Sequence, residues 1–183
     1  MCTSVQYHHG LTSAAPASVL THSRNHFKVM VGSIGVMKFE DARRALYQAP
    51  LAEFVKERKR LADELRAAGE TKPAAKLKTL PRPSVSAWVT NQLYWHARDV
   101  FDAMLAAAAK LKKKDLSATA AHREAIAKLR QRAEAMLTDA GHSATSATLH
   151  KVQTNLAAIS VQGFFPDEPG EITSDREAPG FGA

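Results

Sequence analysis

The chain contains one cysteine, Cys2, close to its N-terminus. A lone cysteine excludes an intrachain disulfide and any cysteine-based zinc site. That usage fits a reducing compartment, and a cytoplasmic location is expected. No run of about 18 apolar residues occurs, so no membrane-spanning helix is expected. The first residues also lack the basic-then-apolar order of a secretory signal. Three catalytic or nucleotide-binding signatures are missing as well: a Gly-x-Ser-x-Gly elbow, a His-Glu-x-x-His pair and a phosphate-cradling glycine loop. No repeat of fixed period appears, and no segment carries a convincing strand pattern.

Acidic residues are unevenly scarce. Residues 1–38 contain Arg24, Lys28 and Lys38 and no Asp or Glu, whereas residues 164–183 hold Asp167, Glu168, Glu171, Asp175 and Glu177 against Arg176. The excess cations behind the net charge of +7 therefore belong to the middle of the chain. Such a surface favours polyanions in general without defining one partner. Residues 1–36 are rich in Ser, Thr and His and lack any helical or strand period, so a disordered leader is expected. Three basic residues are thin for a transit peptide. Because Met37-Lys38-Phe39-Glu40-Asp41 opens directly into helical sequence, translation starting at Met37 is the plainer account of the leader.

From Phe39 onward the helical period is clear. Residues 40–48 form a short helix with Ala42, Leu46 and Tyr47 inward, ending before Pro50. Leu51, Phe54, Val55, Arg58, Leu61, Ala62, Leu65 and Ala68 follow three-four spacing, and Gly69 stands just past the helix end. Thr71 caps a third helix with Pro73 in its first turn and Ala74, Leu77 and Leu80 inward. Pro81 and Pro83 stop it, and Ser84 is the N-cap of the next. That fourth helix is predicted to run unbroken over residues 85–112, about 40 Å at 1.5 Å per residue, carrying Trp88 and Trp95 and packed on two sides in its first half. A basic tip, residues 110–115, leads into a fifth helix capped by Ser117 or Thr119, with Ile126, Leu129, Ala133, Met136 and Leu137 inward. Ser143 or Ser146 opens a sixth, with Leu149, Val152, Leu156 and Ile159 inward, stopped by Gly163. The expected fold is an all-α bundle of about five to six helices around one long central helix, with a helical hairpin. Three regions result: a leader over 1–36, a helical domain over 37–163 and an extended acidic tail over 164–183.

Chemistry-bearing residues are sparse. His8, His9, His22 and His26 lie in the leader, and His96, His122, His142 and His150 fall on different helices without ligand spacing, so neither metal nor cofactor is expected. Two constellations remain as candidate sites. Trp88, Asn91, Gln92 and Trp95 set amides beside indoles on the most buried helix, either satisfying interior polar groups of the Pro81–Pro83 turn and the indoles or lining a groove for a partner peptide. Lys110, Lys112, Lys113 and Lys114, with Arg123 on the following helix, form a candidate polyanion contact, flanked by Lys128, Arg130 and Arg132. No aromatics interleave with these cations, so base stacking is not indicated. By contrast Lys59 with Asp63 and Arg60 with Glu64 read as i, i+4 pairs of a solvated face.

The run Leu80-Pro-Arg-Pro-Ser-Val-Ser-Ala-Trp-Val-Thr-Asn-Gln-Leu follows Pro50-Leu-Ala-Glu-Phe-Val-Lys-Glu-Arg and Leu61-Ala-Asp-Glu-Leu-Arg-Ala-Ala-Gly. Together they resemble an uncharacterised family of bacterial all-helical proteins with an Arg-Pro-Ser-x-x-Ala-Trp-x-x-Asn-Gln-Leu motif. Glu171-Ile-Thr and Pro179-Gly-Phe are similar to that family's segment after its last helix, and its members often continue further. The resemblance implies no catalytic residue, cofactor or substrate. Taken together, the residues point to a non-enzymatic helical interaction module that binds a protein partner or self-associates. A nucleic-acid-associated protein using the basic hairpin is the alternative.

Overall fold

The computed structural model describes residues 37–177. The expectations for the leader and for the Pro179-Gly-Phe segment lie outside those residues. Among the described residues there are α-helices and one short 3-10 turn, and no strand. The helices are α1 (Phe39–Gln48), α2 (Phe54–Ala67), α3 (Thr71–Lys78), α4 (Val85–His96), α5 (Arg98–Lys112), α6 (Thr119–Asp139) and α7 (Ser146–Gln162), with the 3-10 turn Leu116–Ala118 opening α6. None of them is long and apolar enough to cross a membrane.

The expected periodicities are realised with few exceptions. Ala42, Leu46 and Tyr47 of α1, Phe54, Leu61, Ala62 and Leu65 of α2, and Ala74 and Leu77 of α3 close into one apolar cluster. Val55, counted inward on spacing alone, is solvent-exposed. It sits on the first turn of α2 between the buried Phe54 and the exposed Lys56. Gly69 takes φ +86, the left-handed conformation that ends α2, and the Glu70 N–H reaches back to the Leu65 carbonyl at 2.9 Å, as a helix C-cap of this kind requires. A second cluster joins α4 to α7: Trp88, Val89, Leu93, Phe101, Met104, Leu129, Leu137, Val152, Leu156 and Ile159, with Leu51 from the α1–α2 connection. Each large side chain buried this way contributes roughly 1.5–3 kcal/mol.

The central helix is two helices, a correction to the single long one expected. The backbone turns at Ala97 (φ −127, ψ 38), although neither Gly nor Pro marks the place. Packing sets the turn. Tyr94 meets Trp95, Phe101 and Phe164 edge-on at ring separations of 4.9, 5.5 and 5.4 Å, and Ala97 is fully buried. Arg98 then opens α5 by lying over the Tyr94 ring at 4.3 Å and pairing with Asp102 one turn on. α5 and α6 form the expected hairpin, tied across by Arg132 to Asp99 at 2.9 Å. The caps also differ in detail: Asp115 rather than Ser117 or Thr119 opens the 3-10 turn, and Thr145 rather than Ser143 or Ser146 caps α7, its Oγ1 accepting from the Thr148 N–H at 3.1 Å.

The segment after Gly163 is extended, as expected, and it packs against the helices. Ile172 is fully buried, and the segment runs across α4 as a strap. Its Thr173 carbonyl accepts from the Ser84 N–H at 3.2 Å.

Burial pushes the Tyr47 phenol up to about 12, with the Glu171 and Asp167 carboxylates adding to the effect. Because the folded value exceeds the ordinary one, Tyr47 contributes stability that is intact below pH 10 and is lost as pH rises through 12, at most about 2.7 kcal/mol. Tyr47→Phe should therefore shrink the fall in urea midpoint between pH 9 and pH 12. An alkaline loss equal to that of the parent would contradict this.

Candidate functional site

The start of α4 explains why the tryptophan and amide motif exists. Pro81 and Pro83 hold the preceding chain extended, and the Ser84 Oγ accepts from the Ala87 N–H at 3.1 Å, fixing the first turn. From Ser86 to Leu93 every residue is buried. A helix enclosed on all sides brings polar groups inside, and each then needs a partner.

Each of the four motif side chains finds one. The Trp88 indole N–H donates to the Ala49 carbonyl at 3.0 Å, and Gln92 Nε2 donates to the Tyr47 carbonyl at 3.1 Å. Both carbonyls lie where α1 ends, so these two bonds join α4 to the α1–α3 cluster. Asn91 faces the strap instead: its Nδ2 donates to the Ile172 carbonyl at 2.9 Å, and its Oδ1 accepts from the Ile172 N–H at 2.9 Å. The side-chain amide thus pairs with one strap residue as a neighbouring strand would. Trp95 donates to the Gly170 carbonyl at 3.1 Å. Gly170 has φ +77, and a Cβ there would stand 2.5 Å from the Tyr94 ring and 2.6 Å from the Trp95 indole nitrogen, so only glycine fits. The structure brings these residues together as anchors inside the fold, each with a partner in the same chain.

Two strap carboxylates complete the arrangement and behave oppositely. Burial disfavours the Asp175 charge, but hydrogen bonds from Ser86, Asn155 and Ser84, with Lys151 alongside, outweigh it and hold the carboxyl below its ordinary range. Its contribution to stability is present above the ordinary carboxylate value and disappears as pH falls through the folded one. At Glu171 burial wins over the neighbouring Arg43 and raises the carboxyl, so its contribution is lost as pH rises. Arg43 Nε lies 2.5 Å from Glu171 Oε2, yet that N–H has no aligned acceptor. The contact is an ion pair of poor angle, which fits the incomplete compensation. Arg176 closes the strap end by donating to the Phe164 and Phe165 carbonyls and to Asp167.

The basic candidates lie elsewhere. Lys110, Lys112, Lys113 and Lys114 are exposed at the end of α5. Lys114 takes φ +64, and the Asp115 N–H reaches the Lys110 carbonyl at 3.1 Å, a glycine-type helix ending made with lysine. Arg123 lines a groove of about 430 Å³ between α6 and α7 together with Arg130. Of the flanking cations, Lys128 pairs with Glu124 at 2.7 Å and Arg132 with Asp99 at 2.9 Å. No ion pair forms to the four tip lysines, Arg123 or Arg130 among the described residues.

The chain matches no protein-family model, no curated protein sequence and no solved structure. Three of the described histidines have separate surroundings: His142 meets the Trp88 ring edge-on, His122 bonds the Ser160 hydroxyl at 3.0 Å, and His150 lies in the groove. Among the described residues no three His, Cys, Asp or Glu side chains are grouped to hold a metal ion. Sequence reasoning missed the strap residues Ile172 and Asp175. Ile172, a large apolar residue inside the acidic segment, was the available signal.

Asn91→Ala should remove both bonds to Ile172 and leave two buried backbone groups without partners. The expected cost is about 2–4 kcal/mol in urea unfolding, with faster limited proteolysis within residues 164–177 under native conditions. A loss below about 0.5 kcal/mol would fall within the range of an ordinary surface change and would contradict the anchoring role.

Proposed function

We propose that this domain is a non-enzymatic helical interaction module, acting in the cytoplasm, that binds a protein partner or a second copy of itself through the α5–α6–α7 side. One observation carries the reading. The polar and aromatic side chains of the α4 motif are all engaged internally, whereas six cations of the hairpin and α6, Lys110, Lys112, Lys113, Lys114, Arg123 and Arg130, have no acidic partner among the described residues. A surface charge without a partner is free to meet one on another molecule, and on this chain most exposed cations of α2 and the start of α5 are already paired.

Nucleic acid is the second reading, and the lysine tip favours it specifically. Lys110, Lys112, Lys113 and Lys114 place four exposed ammonium groups within five residues, one of them held in a left-handed conformation where glycine would be less strained. Ammonium groups so arranged suit phosphates as point charges.

The two readings separate by salt. Neutralising six or more phosphates makes binding fall by about 10³–10⁵ between 50 and 200 mM salt. Association with a protein surface that is partly apolar should change far less. Binding to random DNA and RNA across that range, run beside light scattering of the chain alone and with candidate proteins, decides between them. The expected result is weak oligonucleotide binding and a salt-tolerant protein complex or oligomer. A strict monomer that binds oligonucleotides with the steep salt dependence would overturn the first reading.

A further inference from the structure

We propose that the groove between α6 and α7 receives an acidic amphipathic helix of a partner protein. This rests on the interaction-module reading and assigns it a site and a partner chemistry.

Arg123, Ile126, Ala127 and Arg130 stand at i, i+3, i+4 and i+7, so they share one face of α6 over two turns, with the arginine positions about 10.5 Å apart along the axis. Ser146, His150 and Gln153 supply the facing wall from α7 at i, i+4 and i+7. The groove is open and measures about 430 Å³, and no Asp or Glu lines it. α7 contains no acidic residue along its whole length. The floor is apolar, with Ile126 half-buried and Ala127 exposed. From end to end the α6 wall therefore reads cation, apolar, apolar, cation, beside a polar wall.

That order is the complement of a helix carrying carboxylates at i and i+7 and apolar residues at i+3 and i+4. A helix laid in a groove is read through such positions, and arginine can hold a carboxylate with two parallel hydrogen bonds. A nucleic-acid strand would satisfy the arginines but would leave Ile126 and Ala127 facing phosphate and sugar. No Phe, Tyr or Trp lines the groove to stack a base. The lysine tip does not line the groove and is not part of this site.

The test uses the full chain and a library of stapled helical peptides carrying Glu at i and i+7 with all apolar combinations at i+3 and i+4, read by fluorescence anisotropy. Members of the library should bind, and replacing both Glu by Gln should weaken the best of them at least about tenfold, as expected when two close charge pairs are lost. The double variant Arg123→Ala, Arg130→Ala should lose a comparable factor, while Lys112→Ala, Lys113→Ala should leave binding unchanged. Both arginines are exposed, so these variants should keep the parent's circular dichroism and urea midpoint. A library without binders overturns the groove assignment. If the chain nevertheless oligomerises or forms a salt-tolerant protein complex, the interaction-module reading survives that failure. Equal binding by the arginine double variant, or tighter binding of random RNA through the same two arginines, also overturns the proposal.

Discussion

A polar side chain taken into a protein interior costs about 1–3 kcal/mol if it finds no partner, and α4 takes in several. Ser86, Thr90, Asn91 and Gln92 are all buried on it. The rest of the domain is arranged around meeting that demand. Gln92 and Trp88 reach the carbonyls at the end of α1, Thr90 donates to the Ser86 carbonyl at 2.7 Å within the helix, and Asn91 takes both backbone groups of Ile172. The α1–α3 cluster and the α4–α7 cluster are each held by apolar burial, and directional bonds from α4 link one to the other and fix the strap over both. Hydrophobic burial supplies most of the stability, but it is not directional. The amides and indoles determine which carbonyl each neighbouring segment presents.

This division of labour bears on function. A motif whose groups are all engaged inside the fold holds the domain together, and in the proposed reading interaction falls to the faces it leaves outward. Those faces carry unlike chemistry. The tip of the hairpin presents four lysines beside the exposed Asp115 and Leu116, a cluster suited to a diffuse negative surface. The α6–α7 groove combines two arginines with an apolar floor and polar wall, suited to a partner of defined shape. Exposed ion pairs such as Lys128 with Glu124 or Arg98 with Asp102 contribute little to stability, but they occupy cations that would otherwise attract partners.

Much of this fold was legible in the sequence. Three-four periodicity located the helices, the Pro81–Pro83 pair and Ser84 located the start of α4, and Gly69 and Gly163 marked helix ends, because each signal is local and has a steric cause. The break at Ala97 was not legible: no residue there disfavours a helix, and the turn comes from how Tyr94 and Phe101 pack with Phe164, which is distant in sequence. The strap was hidden for the same reason. Its composition marked it as extended and acidic, whereas Asp175 is stabilised by Ser84, Ser86 and Asn155, which only the folded chain brings to it. The amide motif stood out as unusual, but its partners, Tyr47 and Ile172, lie 45 and 81 residues away. Cation clusters could be counted from the sequence, yet the pairing that separates Arg123 and Arg130 from Lys128 and Arg132 depends on where acids fall in space.

The central claim, that α4 holds the strap as part of its core, is tested most directly by native-state hydrogen exchange of the Ile172 amide. That amide lies in an irregular segment, and its acceptor is the side chain of Asn91. If the strap belongs to the cooperative core, it should exchange with an opening free energy close to that of the most protected amides of α4 and α7. Exchange at the rate of the exposed residues around Lys113, with opening near zero, would show that the strap detaches freely and would contradict the account.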